Sequence, residues 1–191
     1  MYKDAVWFLP NSNNTIYLTF DDGPIVGVTD NCLDILNEYK VKATFFCVGQ
    51  NAKNNLSLVK RITQDGHAIG NHSFNHLKGW KTDNETYINN VHQCSEYVDS
   101  KLFRPPYGKA KRSQLKSLKD DYKIIMWDVL SGDFDPNVTV EKAIDNVVSK
   151  TQSGSIIVMH DNEKCGEKML EILPKVIAQL LEKGFNFQVI G

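Results

Sequence analysis

The segment Thr19-Phe20-Asp21-Asp22-Gly23-Pro24 places two adjacent carboxylates directly after an apolar and β-branched run that begins at Thr15. Such a run predicts a short strand, and the Gly-Pro pair predicts a turn that ends it. Two buried carboxylates would repel each other unless a cation lay between them, whereas in a solvated turn they would be ordinary residues. The segment alone leaves both interpretations open.

A pair of histidines later in the chain favours the interpretation with a cation. His72 and His76 have the spacing His-x-x-x-His, which would place both imidazoles on one face if the segment formed a helical turn. Two neutral imidazoles and one carboxylate form a metal site with open positions. The alternative is that these are two surface histidines with this spacing by chance. Adjacent side chains of an extended chain point apart, so one aspartate would bind the ion. The other would accept the proton of a water whose pKa the ion has lowered.

The hydrophobic pattern of the chain alternates between strands and helices. It predicts strands over residues 15–20, 43–48, 67–70, 101–103, 122–127, 155–159 and 185–189. It predicts helices over residues 31–39, 56–64, 83–100, 113–119, 139–150 and 167–182, with Asp83 and Thr139 as N-caps. This alternation implies a parallel sheet of about seven strands, in a doubly wound sheet or a barrel. No Gly-x-Gly-x-x-Gly follows the first strand, which weighs against a dinucleotide-binding fold.

A proline-rich motif follows the predicted strand at 101–103. It is Arg104-Pro105-Pro106-Tyr107-Gly108, and its two prolines stiffen the loop. Arg104 could pair with a carboxylate, and the rigid loop could aim the Tyr107 N–H at a developing oxyanion. The alternative is a surface turn with a solvated arginine.

Two more motifs lie where later strands are predicted to end, which is where barrel enzymes collect their active-site residues. Residues 126–135 contain three aspartates and two aromatic residues, which suit a sugar pocket, or else a core Trp127 beside a solvated loop. The strand over 155–159 is followed by His160, which could protonate a leaving group. A carboxylate on its other ring nitrogen would keep that imidazole charged. Alone, His160 is equally well explained as the cap of a strand.

The composition bounds the class of protein. A chain of 191 residues with 41% hydrophobic content predicts a single domain over 1–191. A net charge of −1 gives no electrostatic case for nucleic acid or an anionic membrane. Four cysteines without a Cys-x-x-Cys pair are too few for a disulfide scaffold. No segment is apolar enough to span a bilayer or to resemble a signal peptide, so we expect a cytosolic protein, or a secreted or cell-envelope protein whose signal was removed.

Together these motifs resemble the polysaccharide deacetylase family, the NodB homology domain of carbohydrate esterase family 4. The resemblance rests on Thr19–Pro24, His72–His76 and Arg104–Gly108, which occur in the order typical of the family. It implies a distorted, incomplete (β/α) barrel and an enzyme that uses one divalent ion, typically zinc and sometimes cobalt. It also implies an enzyme that removes N-acetyl groups from N-acetylglucosamine in chitin, chitooligosaccharide or peptidoglycan. We expect a monomer.

The same resemblance assigns roles to single residues. The implied metal ligands are Asp22, His72 and His76. The implied catalytic residues are Asp21 as base, His160 as general acid, Arg104 as the tether of the base, Asp133 as the partner of His160, and Tyr107 through its backbone N–H. The residues expected to line the substrate pocket are Pro105, Tyr107, Trp127, Phe134 and Val158.

The sequence departs from the family pattern at two pocket positions. Phe134 stands where the family usually has Trp, and Val158 where it usually has Leu. Both residues stay apolar, so we expect an altered fit to the acetyl group and retained activity. Two alternatives remain: an O-acetyl esterase acting on xylan or another acetylated glycan, and a non-catalytic carbohydrate-binding relative.

Overall fold

A computed structural model describes residues 2–191, which form a curled parallel sheet with helices packed around it. The strands are β1 (Thr15–Asp21), β2 (Thr44–Cys47), β3 (Ala68–Asn71), β4 (Leu102–Phe103), β5 (Lys123–Ile124), β6 (Val129–Leu130), β7 (Ile156–His160) and β8 (Asn186–Phe187). The helices are α1 (Thr29–Glu38), α2 (Gly49–Asn54), α3 (Leu56–Gln64), α4 (Asn84–Cys94), α5 (Arg112–Leu118), α6 (Val140–Val148) and α7 (Gly166–Glu182). This architecture confirms the predicted distorted, incomplete (β/α) barrel.

The strand β1 lies at the centre of the sheet. The strand order is β5-β4-β3-β2-β1-β7-β6, every pair is parallel, and β8 pairs with the start of β1. Asp21, the last residue of β1, is in register with Phe46 on one side and His160 on the other. Because parallel strands end at the same edge, the polar residues that follow them are brought together there.

The N-terminal segment runs between the end of β5 and the residue that precedes β7. The N–H of Val6 donates to the carbonyl of Ile124 at 2.8 Å, and the N–H of Met126 donates to the carbonyl of Val6 at 2.7 Å. Phe8 pairs in antiparallel fashion with Ser155. An irregular segment, and not a further strand, thus links these two parts of the sheet.

Alternation along β1 separates the core from the site. Ile16, Leu18 and Phe20 are fully buried in the largest apolar cluster, together with residues of α1, α6 and α7. Burial of each such side chain stabilises the fold by about 1.5–3 kcal/mol. Thr19 and Asp21 point to the opposite face because successive side chains of a strand alternate. Among residues 2–191 no helix is both long and apolar enough to cross a membrane.

Most predicted elements are present, and three differ. The helix predicted over 83–100 ends at Cys94, where Ser95 instead bonds the hydroxyl of Tyr122 at 2.6 Å. The helix α2 and the strand β6 were not predicted. Asparagine and glycine are poor helix formers, but Asn51 in α2 donates to the carbonyl of Asp22 at 2.8 Å. The N-caps Asp83 and Thr139 are confirmed, since each side chain accepts a bond from the first helical turn.

Candidate active site

A cavity of about 740 Å³ opens at the carboxyl ends of the strands. Eight residues of the predicted site line it: Asp21, Asp22, His72, His76, Tyr107, Trp127, Phe134 and His160. Three of these, Asp22, His76 and Tyr107, belong to the six non-glycine residues with positive φ in the described chain. Such backbone is costly, and its concentration at one cavity is typical of a functional site.

Asp22, His72 and His76 form a cluster of three ligand atoms within 4.8 Å of one another. The Nε2 atoms of His72 and His76 lie 3.5 and 3.1 Å from Oδ1 of Asp22. Burial raises the pKa of Asp22, but the hydrogen bonds and charges of the two histidines outweigh it and hold this pKa well below its usual range. The carboxylate is therefore ionised at any physiological pH.

The surroundings of this cluster fit a divalent ion. Nδ1 of His72 lies 2.8 Å from the carbonyl oxygen of Arg104, so Nδ1 donates to this carbonyl and Nε2, which faces Asp22, is the nitrogen that can bind an ion. Asn162 donates to Oδ2 of Asp22 at 2.7 Å and holds the carboxylate in place. One carboxylate and two imidazole nitrogens with room for further ligands can hold zinc or a similar ion.

Arg104 and Asp21 form an ion pair beneath the cavity. Nη1 of Arg104 donates to Oδ1 of Asp21 and to Oγ1 of Thr19, both at 2.7 Å. The same guanidinium donates to the carbonyls of Ile125 and Met126. Burial lowers the pKa of Arg104, and Asp21 partly offsets this, but an arginine stays charged in proteins. Asp21 is thus held beside a permanent positive charge.

His160 and Asp133 form a second pair across the cavity. Oδ1 of Asp133 lies 2.8 Å from Nδ1 of His160, and Oδ2 accepts from the His160 backbone N–H at 2.7 Å. Burial lowers the pKa of His160, but the bond and charge of Asp133, with Asp21 and Asp22, outweigh it and raise this pKa to about 9. The imidazole is therefore protonated at neutral pH.

Asp161, next in the chain, braces the turn that carries Asp22. It accepts bonds from the N–H of Gly23 at 3.0 Å and from the hydroxyl of Thr29 at 2.6 Å. Burial raises the pKa of Asp161 to about 7, against the lowering effect of these two bonds. A Cβ atom on Gly23 would lie only 2.0 Å from Oδ2 of Asp161, so only glycine fits in this turn.

The proline-rich loop presents Tyr107 in a left-handed conformation, with φ of 59°. Its side chain is half exposed, and its ring centroid lies 4.6 Å from that of His76. Its backbone N–H donates none of the hydrogen bonds found among residues 2–191. This N–H is therefore available to a bound group.

Two predicted pocket residues need correction. Val158 is fully buried and does not line the cavity, because it lies within β7 below His160. Leu130, which is in register with Val158, lines the cavity in its place. Pro105 is also buried and shapes the loop without lining the cavity. Sequence reasoning missed Leu130 and Asn162. The only signal for Asn162 was its place two residues after His160.

Comparison with known proteins agrees with this fold and site. A sequence profile described as polysaccharide deacetylase matches residues 9–122. A peptidoglycan-N-acetylglucosamine deacetylase of Bacillus cereus is 33% identical over 197 aligned residues, which cover 98% of this chain and 91% of the relative. A chitooligosaccharide deacetylase of Azorhizobium caulinodans is 34% identical over 162 residues, which cover 80% of this chain and 76% of the relative.

A solved structure also matches over most of its length. It is the Bc1960 peptidoglycan N-acetylglucosamine deacetylase in complex with 4-naphthalen-1-yl-N-oxidanyl-benzamide. It superposes with a TM-score of 0.91 at 33% identity and covers 96% of this chain and 89% of that chain. The half-barrel and its polar strand ends therefore define a carbohydrate deacetylase. The chain belongs to the polysaccharide deacetylase family, carbohydrate esterase family 4, and is an enzyme of that family.

Proposed function

We propose that this enzyme hydrolyses the acetamide of N-acetylglucosamine residues in a glycan and releases acetate and a free amine. One observation carries the proposal: the Asp21–Arg104 pair, the His160–Asp133 pair and the Asp22–His72–His76 cluster all meet at one cavity. The relatives named above act on N-acetylglucosamine in peptidoglycan and on chitooligosaccharide, which supports an N-acetyl substrate.

Asp22, His72 and His76 would hold one divalent ion, and zinc best matches two imidazoles with one carboxylate. When bound, such an ion supplies Lewis acidity, which polarises a carbonyl oxygen and lowers the pKa of water. A hydrogen bond to the Arg104 carbonyl fixes His72, and a hydrogen bond from Asn162 fixes Asp22. These contacts preorganise the cluster for the ion.

Asp21 acts as the general base. Its Oδ1 is occupied by Arg104, whereas Oδ2 accepts none of the side-chain hydrogen bonds found in residues 2–191. The free oxygen can take a proton from the attacking water as the water oxygen bonds to the acetyl carbon. The bond from the guanidinium fixes the orientation of Asp21.

His160 acts as the general acid, and Tyr107 stabilises the developing oxyanion through its backbone N–H. The pKa of about 9 keeps His160 protonated at neutral pH. As the carbon–nitrogen bond breaks, His160 transfers a proton to the departing amine, and Asp133 stabilises the ring throughout. The apolar side chains of Leu130, Trp127 and Phe134 line the same cavity and provide a surface for the acetyl methyl group.

The test compares acetate release by the wild-type enzyme and the Asp21→Asn variant, each reconstituted with zinc. The substrates are chitotetraose, a peptidoglycan-derived tetrasaccharide and acetylated xylan. We expect release from the two N-acetylated glycans by the wild type and at least a hundredfold slower turnover by the variant. Release from xylan alone would favour the O-acetyl esterase, and release from none of the three would favour the non-catalytic relative. Unchanged turnover by the variant would exclude Asp21 as the base.

A further inference from the structure

An aromatic ledge borders the cavity on the side of His76. We define it as Lys78, Trp80, Tyr107 and Lys109. The Trp80 and Tyr107 rings meet edge to face, with centroids 5.5 Å apart, and Tyr107 in turn contacts His76. Trp80 and Tyr107 are 39% and 50% exposed. Aromatic surface therefore extends continuously from a candidate metal ligand to the outside of the cavity, and the proposed reaction makes no use of Trp80.

Two lysines flank these rings. Nζ of Lys78 lies 5.4 Å from the ring centroid of Tyr107, and Nζ of Lys109 lies 5.8 Å from that of Trp80. Both distances fall within the range of cation–π attraction. Neither lysine belongs to a salt bridge of residues 2–191. The ledge therefore combines exposed ring surface with two positive charges that have no carboxylate partner in the described chain.

The ledge is held rigidly although it is built from two loops. The fully buried Gln114 donates to the carbonyls of Gly79 and Thr82 at 3.0 and 3.2 Å. Lys111 also donates to the carbonyl of Thr82, at 2.7 Å. A Cβ atom on Gly79 would lie 2.9 Å from the Cα of Ala110, so the loops touch through backbone. A binding surface that is ordered in advance loses less entropy when a ligand binds.

We propose that the aromatic ledge binds the sugar next to the one that loses its acetyl group, and that it favours a sugar bearing a carboxylate. Aromatic rings pack against the apolar face of a pyranose, and the two ammonium groups attract an anion. Peptidoglycan strands that have lost their stem peptides offer such a sugar, because the lactyl group of N-acetylmuramic acid then carries a free carboxylate beside each N-acetylglucosamine. In intact peptidoglycan this carboxyl group is bound to the peptide as an amide. Chitin offers none. This inference rests on the proposed function and narrows its substrate class to acidic glycans.

The test measures dissociation constants by calorimetry in the Asp21→Asn background, where the ligand is not consumed. The ligands are a peptidoglycan tetrasaccharide without peptide, chitotetraose as the neutral match, and a hyaluronan tetrasaccharide whose carboxylate belongs to a uronate. We expect a Lys78→Gln/Lys109→Gln double variant to bind the peptidoglycan ligand about tenfold more weakly and chitotetraose unchanged. If the double variant also binds hyaluronan more weakly, the ledge recognises any sugar carboxylate. If its affinity for hyaluronan is unchanged, the ledge recognises the lactyl carboxylate specifically.

Matched variants separate recognition from structure. Trp80→Ala should weaken the binding of both the peptidoglycan ligand and chitotetraose about tenfold, and Trp80→Phe should retain most of the wild-type affinity. Lys150→Gln removes an exposed lysine at the opposite edge of the sheet and should change nothing. The KM values of the same ledge variants, made without the Asp21→Asn substitution, show whether that substitution itself disturbs the fold.

Equal losses for the peptidoglycan ligand and chitotetraose in the lysine double variant, or no loss for either, would overturn the inference. So would absence of any binding of the peptidoglycan ligand. Failure of the proposed function looks different: ligands would bind with the expected lysine dependence while the wild-type enzyme released no acetate.

Discussion

Nη1 of Arg104 lies 2.7 Å from Oδ1 of Asp21, and both side chains are buried below the cavity. The pair links β1 to the loop after β4 through an ionic contact that is almost fully buried. A buried pair of this kind adds little stability relative to an apolar pair, but removal of one partner leaves an uncompensated charge.

The first prediction concerns stability. Arg104→Met should lower the free energy of unfolding at pH 7 by about 3–5 kcal/mol, because Asp21 is left buried without its cation. Urea unfolding monitored by circular dichroism measures the change. Lys142→Met is the matched control, since it breaks the exposed ion pair with Asp145 and should leave the midpoint nearly unchanged. Similar losses of unfolding free energy in both variants would contradict the claim that Arg104 and Asp21 form a buried ion pair.

The second prediction concerns the pH dependence of activity. The pKa of His160 is raised to about 9 through Asp133, so turnover should fall as pH rises through this value and the acid loses its proton. Asp133→Asn should move this alkaline limb to lower pH, because the amide removes the charge that stabilises imidazolium. A kcat profile between pH 6 and 11 checks this. An alkaline limb that does not move would exclude Asp133 as the partner of the acid.

The same shift predicts a pH-dependent stability of the metal-free protein. The pKa of His160 in the folded state lies above its ordinary value of 6.5. Its contribution is therefore fully present below pH 6.5 and is lost as pH rises through about 9. The difference in unfolding free energy between the wild type and His160→Gln should shrink across that window. A difference that grows with pH would contradict the direction of the shift.

The turn before α1 gives a steric prediction. Gly23→Ala pushes a methyl group into Asp161, so it should cost about 1–3 kcal/mol and also weaken divalent ion binding by moving Asp22. Gly27→Ala, in the same loop at φ of +83° with open space around it, should cost about 1 kcal/mol from backbone strain alone. Its ion affinity should match the wild type. Equal affinity in the Gly23 variant would show that the turn does not position Asp22.

Short-range patterns allowed much of this structure to be predicted from the sequence. β1 is a run of apolar and β-branched residues and β7 is almost wholly apolar, and a residue at the end of a parallel strand must lie at the common edge of the sheet. The positions of Asp21 and His160 follow from this rule. The caps Asp83 and Thr139 are likewise local, because each bonds an N–H three residues further on.

Features that depend on distant contacts could not be predicted in the same way. Three of the six residues of α2 are glycine or asparagine, which are poor helix formers, and the helix is held partly by the bond from Asn51 to Asp22. The two-residue strand β6 has too few residues for a pattern, so the place of Leu130 opposite Val158 stayed hidden. The bond from Asn162 to Asp22 joins residues 140 positions apart, and only the folded chain brings them together.

The central claim is that Asp22, His72 and His76 share one divalent ion while Asp21 does not bind it. A calorimetric titration of the metal-free protein with zinc tests this most directly. We predict one zinc per chain for the wild type and for Asp21→Asn, and about a hundredfold weaker zinc binding for His76→Ala. His92→Ala, an exposed histidine on α4, should bind as the wild type does. Undiminished zinc binding by His76→Ala, or a complete loss in Asp21→Asn, would contradict the account.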